Sequence, residues 1–344
     1  MSRRILVLAA LCAGFAVPAL ARDVAPVAMP EPFDAAQAGV SLVEASNARV
    51  LKGVKRVAIP QFSIEFVTSD QVSSETSGFA AAGRASVTGY YRLVGVEQPE
   101  FQAIADQLYA GLVQALQAQG LEVLTPEQLA ASPTWNKLNG GGMPTPLRTD
   151  SKVIVAPPGM ALYGANRMTA NSGAKGTLAS LAALGAGFSG VSEAMEATGI
   201  QKELDGAALV EVSMKLHFAQ LKNESKGFFG RLGNTASVSA KVHPVLTQAR
   251  LQVTNGPEAA VFTLKAPLLL DAAAFSEVRK EAATAGDVAG AVAVGLLRMA
   301  IGSKDSSSSE KYEVVAEPAR YQERIGANLA QTHAMLIARM VSER

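Results

Sequence analysis

A glycine-rich stretch at residues 185–190, GAGFSG, has a spacing that could bind a dinucleotide. It matches the pattern G-x-G-x-x-G, whose glycines let the backbone approach a pyrophosphate at the start of a helix. That chemistry needs a strand before the glycines and an acidic residue about 20 positions after them. The preceding letters TLASLAAL favour a helix, and Asp205 is only 15 positions past Gly190. The stretch is interpreted as a glycine break between two closely packed helices, and no cofactor is predicted.

Nucleophilic and metal-binding side chains are scattered along the chain. Ser189 and Ser192 adjoin the glycines, but neither lies in the G-x-S-x-G pattern of a nucleophile elbow. The three histidines, His217, His243 and His333, show no H-x-x-x-H or H-E-x-x-H spacing. The first should lie on the polar side of a strand, and the second, which precedes a proline, should mark a strand bend or edge. No catalytic residue and no metal ligand is therefore predicted.

Acidic residues give an equally weak signal for acid–base chemistry. Glu203 and Asp205 precede a strand and are expected to occupy a turn. Glu65 interrupts an apolar strand between Ile64 and Phe66, and strict alternation places it on an exposed face.

The first residues have the three parts of a secretory signal peptide. Two arginines are followed by an apolar run at residues 5–17 and an A-x-A exit at residues 19–21. The run is shorter than the about 20 residues that a spanning helix needs. Residues 1–21 are predicted to be a signal peptide, with the mature chain starting near Arg22. A short uncleaved membrane anchor is the alternative.

Cysteine and charge exclude several function classes. The single cysteine, Cys12, lies in the signal segment after Leu11, where a lipidation signal would have a small residue. The mature chain would then contain neither disulfides nor thiolate ligands. Removing residues 1–21 takes two arginines from the 31 basic residues and leaves the 30 acidic ones, so the mature chain is close to neutral. It lacks the basic footprint of a nucleic-acid partner.

The elements that would position a binding site follow from hydrophobic periodicity. An opening strand is predicted at about 54–68. An amphipathic helix follows Pro99 and ends before Gly120, because apolar residues recur every three or four positions between them. A short strand then leads to a second helix, for which Thr125 and Gln128 predict a capping box.

Strand patterns dominate the second half of the core. Residues 208–218 alternate between apolar and polar, which predicts a half-buried antiparallel strand. Two more strands are predicted at about 237–253 and 259–270, joined across the turn signal Asn255-Gly256. The three strands should form a meander.

Three regions lack apolar periodicity. Residues 22–51 are predicted to be a proline-rich extended leader. Residues 69–89, rich in serine and glycine, are predicted to be a mobile contact loop or an irregular hairpin, with a return strand at about 90–96. Residues 303–311 are predicted to be a serine-rich linker.

Small residues mark two helical stretches, at 173–190 and 282–302. Gly286 and Gly290 have the spacing of a close helix contact, and packing between helices is favoured over membrane insertion. An apolar groove for a lipid or a partner helix would fit the same pattern. The C-terminal region, 271–344, is predicted to be helical, and its last helix should dock on the core or on a partner.

These elements predict an α+β fold. Its mixed sheet should have an antiparallel C-terminal meander and should be packed by amphipathic and Ala/Gly-rich helices. The α/β core is assigned to residues 52–270.

Three short motifs stand out in this core. They are Val57, Ala58, Ile59 and Phe62 in the first strand, Leu116, Gly120 and Val123 at the end of the first helix and just after it, and Gly206, Ala207 and Ala208 at the start of a later strand. These motifs resemble those of the fold shared by the curli secretion protein CsgG, the N-terminal domain of TolB and related bacterial envelope proteins. The resemblance implies a periplasmic assembly or binding module, and it implies no catalytic residues.

The predicted function is therefore that of an exported, non-catalytic envelope protein. It would be periplasmic and would bind an envelope protein partner through a sheet edge or an apolar groove. The alternative is a periplasmic carrier of a lipid or another apolar small molecule. An exported hydrolase ranks third, since its nucleophile and base cannot be named. Association with the outer membrane and homo-oligomerisation stay open at this stage.

Overall fold

The computed structural model describes residues 25–77, 84–163, 195–219, 242–281 and 306–344. Within these ranges the strands are β1 (Val27–Ala28), β2 (Val43–Ser46), β3 (Arg56–Val67), β4 (Ser69–Ser77), β5 (Arg84–Val94), β6 (Glu122–Val123), β7 (Leu147–Arg148), β8 (Lys152–Val155), β9 (Ala208–His217), β10 (Val245–Asn255), β11 (Glu258–Leu264), β12 (Leu268–Leu269), β13 (Glu277–Lys280) and β14 (Ser306–Val315). The helices are α1 (Ala35–Leu42), α2 (Gln98–Ala118), α3 (Pro126–Leu129), α4 (Pro133–Gly140), α5 (195–203) and α6 (Pro318–Ser342), with 3₁₀ turns at Ala48–Leu51 and Ala272–Ala274.

The larger sheet is centred on β3 and β9, which lie side by side in parallel. Its strand order is β1-β12-β10-β9-β3-β8-β7, while β11 and β2 extend it beside β10 and β6 pairs with β3. Every residue of β3 from Val57 to Phe66 is buried, as expected of a strand at the centre of a sheet. Parallel and antiparallel neighbours occur together and helices pack on the sheet, so the predicted α+β class with a mixed sheet is confirmed.

The meander predicted from the second half of the core is formed by β9, β10 and β11, which are successive antiparallel neighbours. Their turn uses Gly256 at a positive φ of 63°, a conformation that favours glycine. The predicted last strand is divided into β11 and β12, because Pro267 lies between them and cannot donate to a ladder. The apolar positions of β9 are buried as the alternation predicted, at Val210, Val212, Met214 and Leu216.

Two long helices cover one face of this sheet. The predicted helix after Pro99 is α2, which ends at Ala118. Its C-cap, Gln119, precedes Gly120, which has a φ of +73°. The predicted last helix is α6, which packs against both α2 and α1. Their buried apolar side chains each contribute about 1.5–3 kcal/mol to folding. The predicted apolar faces are buried, at Phe101, Ile104, Leu108, Leu112 and Leu116 of α2 and at Ile325, Leu329, Leu336 and Met340 of α6.

The helix predicted to start at Thr125 is only one turn long. Thr125 and Gln128 form the expected capping box at the start of α3. The helix then stops, because Ser132 precedes Pro133, and a residue before proline is disfavoured in the α conformation. Pro133 begins a separate helix, α4, whose Trp135 indole donates a 3.1 Å hydrogen bond to the carbonyl of Pro60 in β3.

The prediction of an extended leader over residues 22–51 is wrong for the described part, residues 25–51. Asp34 caps α1 by accepting a bond from the Gln37 amide, and α1 packs on α6. The flanking strands join the larger sheet, β1 beside β12 and β2 beside β11. Hydrophobic periodicity does not reveal these elements, because each is shorter than nine residues and prolines lie between them.

A second sheet has the order β13-β14-β5-β4, and we call it the arm. Residues 69–77 form β4 and pair in antiparallel register with β5, so the hairpin alternative is correct for 69–77 and 84–89 and the loop alternative is not. Residues 306–311 of the predicted linker lie in β14, which is parallel to β5. Residues 277–280 form β13 where a helix was predicted. Segments of serine and charged residues have no apolar periodicity but can still pair through their backbones, and this explains the errors.

Candidate functional site

Several residues considered for chemistry lie outside the described residues. These are the glycine stretch at 185–190 with Ser189 and Ser192, and the glycine pair Gly286 and Gly290. Their predicted roles stay predictions.

The three histidines lie in different surroundings. His217 is on the polar side of β9, as predicted, and burial together with Lys215 lowers its pKa, against the smaller effects of Asp70 and Glu65. His243 comes two residues before the start of β10 and not at a bend or edge within the strand predicted at about 237–253. His333 is 3% exposed, and its Nε2 has no hydrogen-bond partner among the described residues.

The acidic pair before β9 connects helices. Glu203 was expected in a turn, but it is the last residue of α5. Its carboxylate accepts bonds from the Ser132 hydroxyl at 2.5 Å and from the Thr134 amide and hydroxyl at 3.0 and 2.7 Å. These bonds lower the pKa of Glu203. They also cap α4, so this carboxylate holds two helices together. Asp205 lies in the following turn at a φ of 53°, as predicted, and its carboxylate is 3.9 Å from Arg56.

Glu65 differs from its prediction. As alternation predicts, its side chain is on the other face of β3 from those of Ile64 and Phe66. The side chain is buried rather than exposed, however, with 7% of the residue accessible. Its carboxylate is 3.0 Å from the ammonium group of Lys215 on β9 and 3.7 Å from that of Lys152 on β8. The two lysines flank β3 from both sides in the register of the sheet. Because a charge in the interior must be paired, this triad explains how an acid is tolerated in a central strand.

A groove of about 380 Å³ lies over this triad, on the polar face of the larger sheet. It crosses β3, β9, β10 and β11, whose residues face each other in register. We call it the sheet groove. Its charged and hydroxyl-bearing lining residues are Ser63, Glu65, Ser213, Lys215, Thr247, Arg250 and Thr263, and its apolar ones include Ile154, Leu162 and Met214.

Arg250 is the arginine that lines the sheet groove. It is exposed, and within the described part of the chain its hydrogen-bond partner is the neutral side chain of Gln252. The nearest acid in this network, Glu211, accepts a 3.3 Å bond from Gln252 instead. A guanidinium in this state retains donors for a carboxylate or a phosphate.

The sheet groove was missed by sequence reasoning. The polar positions of β9 were identified, but nothing in the sequence pairs them with Glu65 across β3. The usable signal was an acid in an otherwise apolar strand, together with lysines next to apolar residues at positions 152 and 215. Their approach depends on the strand order, which periodicity does not give.

The arm presents two different edges. At one edge, β13 is four residues long, fully exposed and charged. Glu313 of β14 ties this edge to the sheet by binding Arg92 of β5 and Arg279 of β13, each at 2.8 Å. At the other edge, β4 pairs with β5 at nine consecutive positions without a bulge. Short, charged strands protect an edge from pairing, whereas a long regular strand without proline or lysine does not.

Backbone contacts show which residues of β4 point away from β5. The Ser69 amide donates to the Ser151 carbonyl at 3.2 Å, and the Gln71 amide donates to the Asp70 carboxylate at 2.7 Å. Since alternate residues of an antiparallel pair direct their backbones to opposite sides, the Ser73 amide also faces away from β5. Among the described strands, β4 pairs only with β5.

Comparisons and searches add three findings. No family model, no curated protein and no solved structure matches this chain. In the described ranges, no cluster of three or more histidine, cysteine and acidic side chains could hold a metal ion. The described helices include none that is both long enough and apolar enough to cross a membrane.

Proposed function

We propose that this chain is an exported bacterial envelope protein that acts as a non-catalytic binding and assembly module. The observation that carries the proposal is the unprotected edge strand β4 on the arm. An exposed edge binds an extended segment of a partner through main-chain hydrogen bonds. The partner is an envelope protein that contributes a strand beside β4. The signal-peptide pattern of residues 1–21 and the resemblance to the CsgG and TolB group belong to this proposal.

The difference between the two arm edges supports strand addition at β4 and not at β13. The charged edge β13 carries the features that prevent strand addition, while β4 lacks them. A protein that avoided all edge pairing would protect both. The sheet groove carries hydroxyl, ammonium and guanidinium groups beside its apolar residues, so it favours a polar ligand over a lipid chain. The apolar carrier and the hydrolase stay untested predictions.

The test places a photo-crosslinking amino acid at Gln71 of β4 in cells that produce the full chain. The matched position is Val278 of β13, which is 40% exposed on the protected edge. We expect an adduct from Gln71 in the periplasmic fraction and none from Val278.

The backbone dependence of this adduct separates strand addition from other contacts. Ser73→Pro removes an amide that faces away from β5, so the arm should tolerate it while the partner strand loses a hydrogen bond. We expect the Gln71 adduct to disappear in Ser73→Pro and to persist in Ser73→Ala. An adduct of equal yield in both variants, or none in the unchanged protein, would overturn the proposal.

A further inference from the structure

The sheet groove has the dimensions of a small-molecule site. Its volume of about 380 Å³ lies in the range of about 300–1,000 Å³ that is typical of ligand pockets. Most of its wall side chains belong to four paired strands, so their positions are fixed by backbone register. A site on strands is held more rigidly than a site on loops.

Burying the charged groups under the sheet groove costs desolvation free energy. Glu65 and Lys152 are almost fully buried, and Lys215 is partly buried, with 27% of its side chain exposed. Replacing a buried ion pair with apolar side chains is often neutral or stabilising, so stability alone does not require this triad. A concave surface with a few fixed polar and charged groups is typical of a ligand-binding site.

The remaining polar groups of the sheet groove are available for a ligand. The hydroxyls of Ser63, Ser213 and Thr263 line it and form no side-chain hydrogen bond within the described ranges. The Arg250 guanidinium has only a neutral partner there. The charged residues that line the sheet groove are Glu65, Lys215 and Arg250. Lys152 lies 3.7 Å from the Glu65 carboxylate, so cationic groups outnumber this buried carboxylate and the local charge favours an anion.

We infer that the sheet groove binds a small anionic, hydroxyl-bearing molecule such as a sugar acid or a sugar phosphate. Arg250 takes the carboxylate or phosphate in a bidentate contact, and the serine and threonine hydroxyls together with the Glu65–Lys215 pair take the hydroxyl groups. This inference goes beyond the proposed function, because it concerns the face of the larger sheet and not the edge of the arm.

The test is isothermal titration calorimetry of the mature chain with three probes of similar size. Glucose 6-phosphate and glucuronate carry a phosphate and a carboxylate, and glucose is their neutral counterpart. We expect saturable binding of at least one anionic probe and none of glucose. Comparison of the two anions identifies which acid group the site prefers.

Two arginine variants locate the binding. Arg250→Gln should weaken it by about tenfold or more, the effect of losing one charge-assisted contact. Arg148→Gln is the matched control, because Arg148 is an exposed arginine of the same sheet that does not line the sheet groove. Both variants should leave the Gln71 adduct unchanged. Failure of both anions to bind, equal binding of glucose, or equal affinity in Arg250→Gln and the unchanged protein overturns the inference.

Discussion

His333 is a buried imidazole whose environment favours its neutral form. Burial among α6, α2 and β3 lowers its pKa to about 4, and its ring lies 6.1 Å from the ring of Phe62. In an unfolded chain a histidine titrates near 6.5, so protonation favours unfolding. Its contribution to stability is complete above about pH 6.5 and is lost as the pH falls toward 4, and the difference amounts to roughly 3 kcal/mol.

Replacing this imidazole should therefore flatten the acid side of the stability profile. In His333→Leu, urea unfolding measured at several values between pH 7 and pH 4 should show a weaker pH dependence than in the unchanged protein. His243→Gln is the control, because His243 is partly exposed before β10. An unchanged slope in His333→Leu would show that other groups cause the acid sensitivity.

The Glu65 triad allows a second prediction about single side chains. Glu65→Gln leaves two cations near each other below the sheet groove, and breaking a buried pair in this way costs about 3 kcal/mol or more. Adding Lys152→Met removes one of the cations, so the double variant should be more stable than the sum of the single effects predicts. The free energy of unfolding of all four proteins measures this coupling. Purely additive effects would show that the 3.7 Å contact contributes nothing.

At the scale of the elements, Gly95 lies in the connection between β5 of the arm and helix α2. It follows β5 at a φ of +87°, and a Cβ there would lie 2.2 Å from the carbonyl oxygen of Ala316, which follows β14. Gly95→Ala therefore adds a backbone clash to the cost of the positive φ, and it should destabilise the protein severely. Urea unfolding followed by circular dichroism is the measurement.

Gly120 provides the matched control for this position. It also has a positive φ, of +73°, but a Cβ there would meet nothing within 4 Å. Gly120→Ala should thus cost only about 1–2 kcal/mol, the effect of the left-handed backbone conformation alone. Equal losses in the two variants would mean that the contact with Ala316 relaxes without cost.

How well an element can be predicted depends on its length and its apolar repeat. α2, α6 and β9 were found because each has a long run of regularly spaced apolar residues that the core then buries. β13 and β14 were missed because charged and serine residues fill them, and only pairing with neighbours makes them strands. The Glu65 triad could not be predicted for a related reason: its three residues come from three strands whose order is set by the whole sheet.

At the scale of the whole molecule, the N-terminal segment, residues 25–51, is an integral part of the fold. Residues 25–51 place β1 and β2 on the larger sheet and α1 against α6. The fit is close at Gly39, where a Cβ would lie 2.7 Å from the Met335 carbonyl oxygen and 3.2 Å from the Arg339 amide. A leader that only tethers the fold would make no such contact. The segment should therefore unfold with the core and not before it.

Limited trypsin digestion can detect how this segment is attached. Arg49 and Lys52 are exposed cleavage sites at its end, and they are protected only while the segment stays folded. In the unchanged protein we expect residues 25–51 to remain attached for as long as the core resists digestion. Gly39→Leu should push α1 away from α6 and accelerate cleavage at these sites, while Val40→Leu, on the exposed side of α1, should not. If all three proteins lose the segment equally fast, α1 is not anchored on α6 in solution and residues 25–51 behave as a leader.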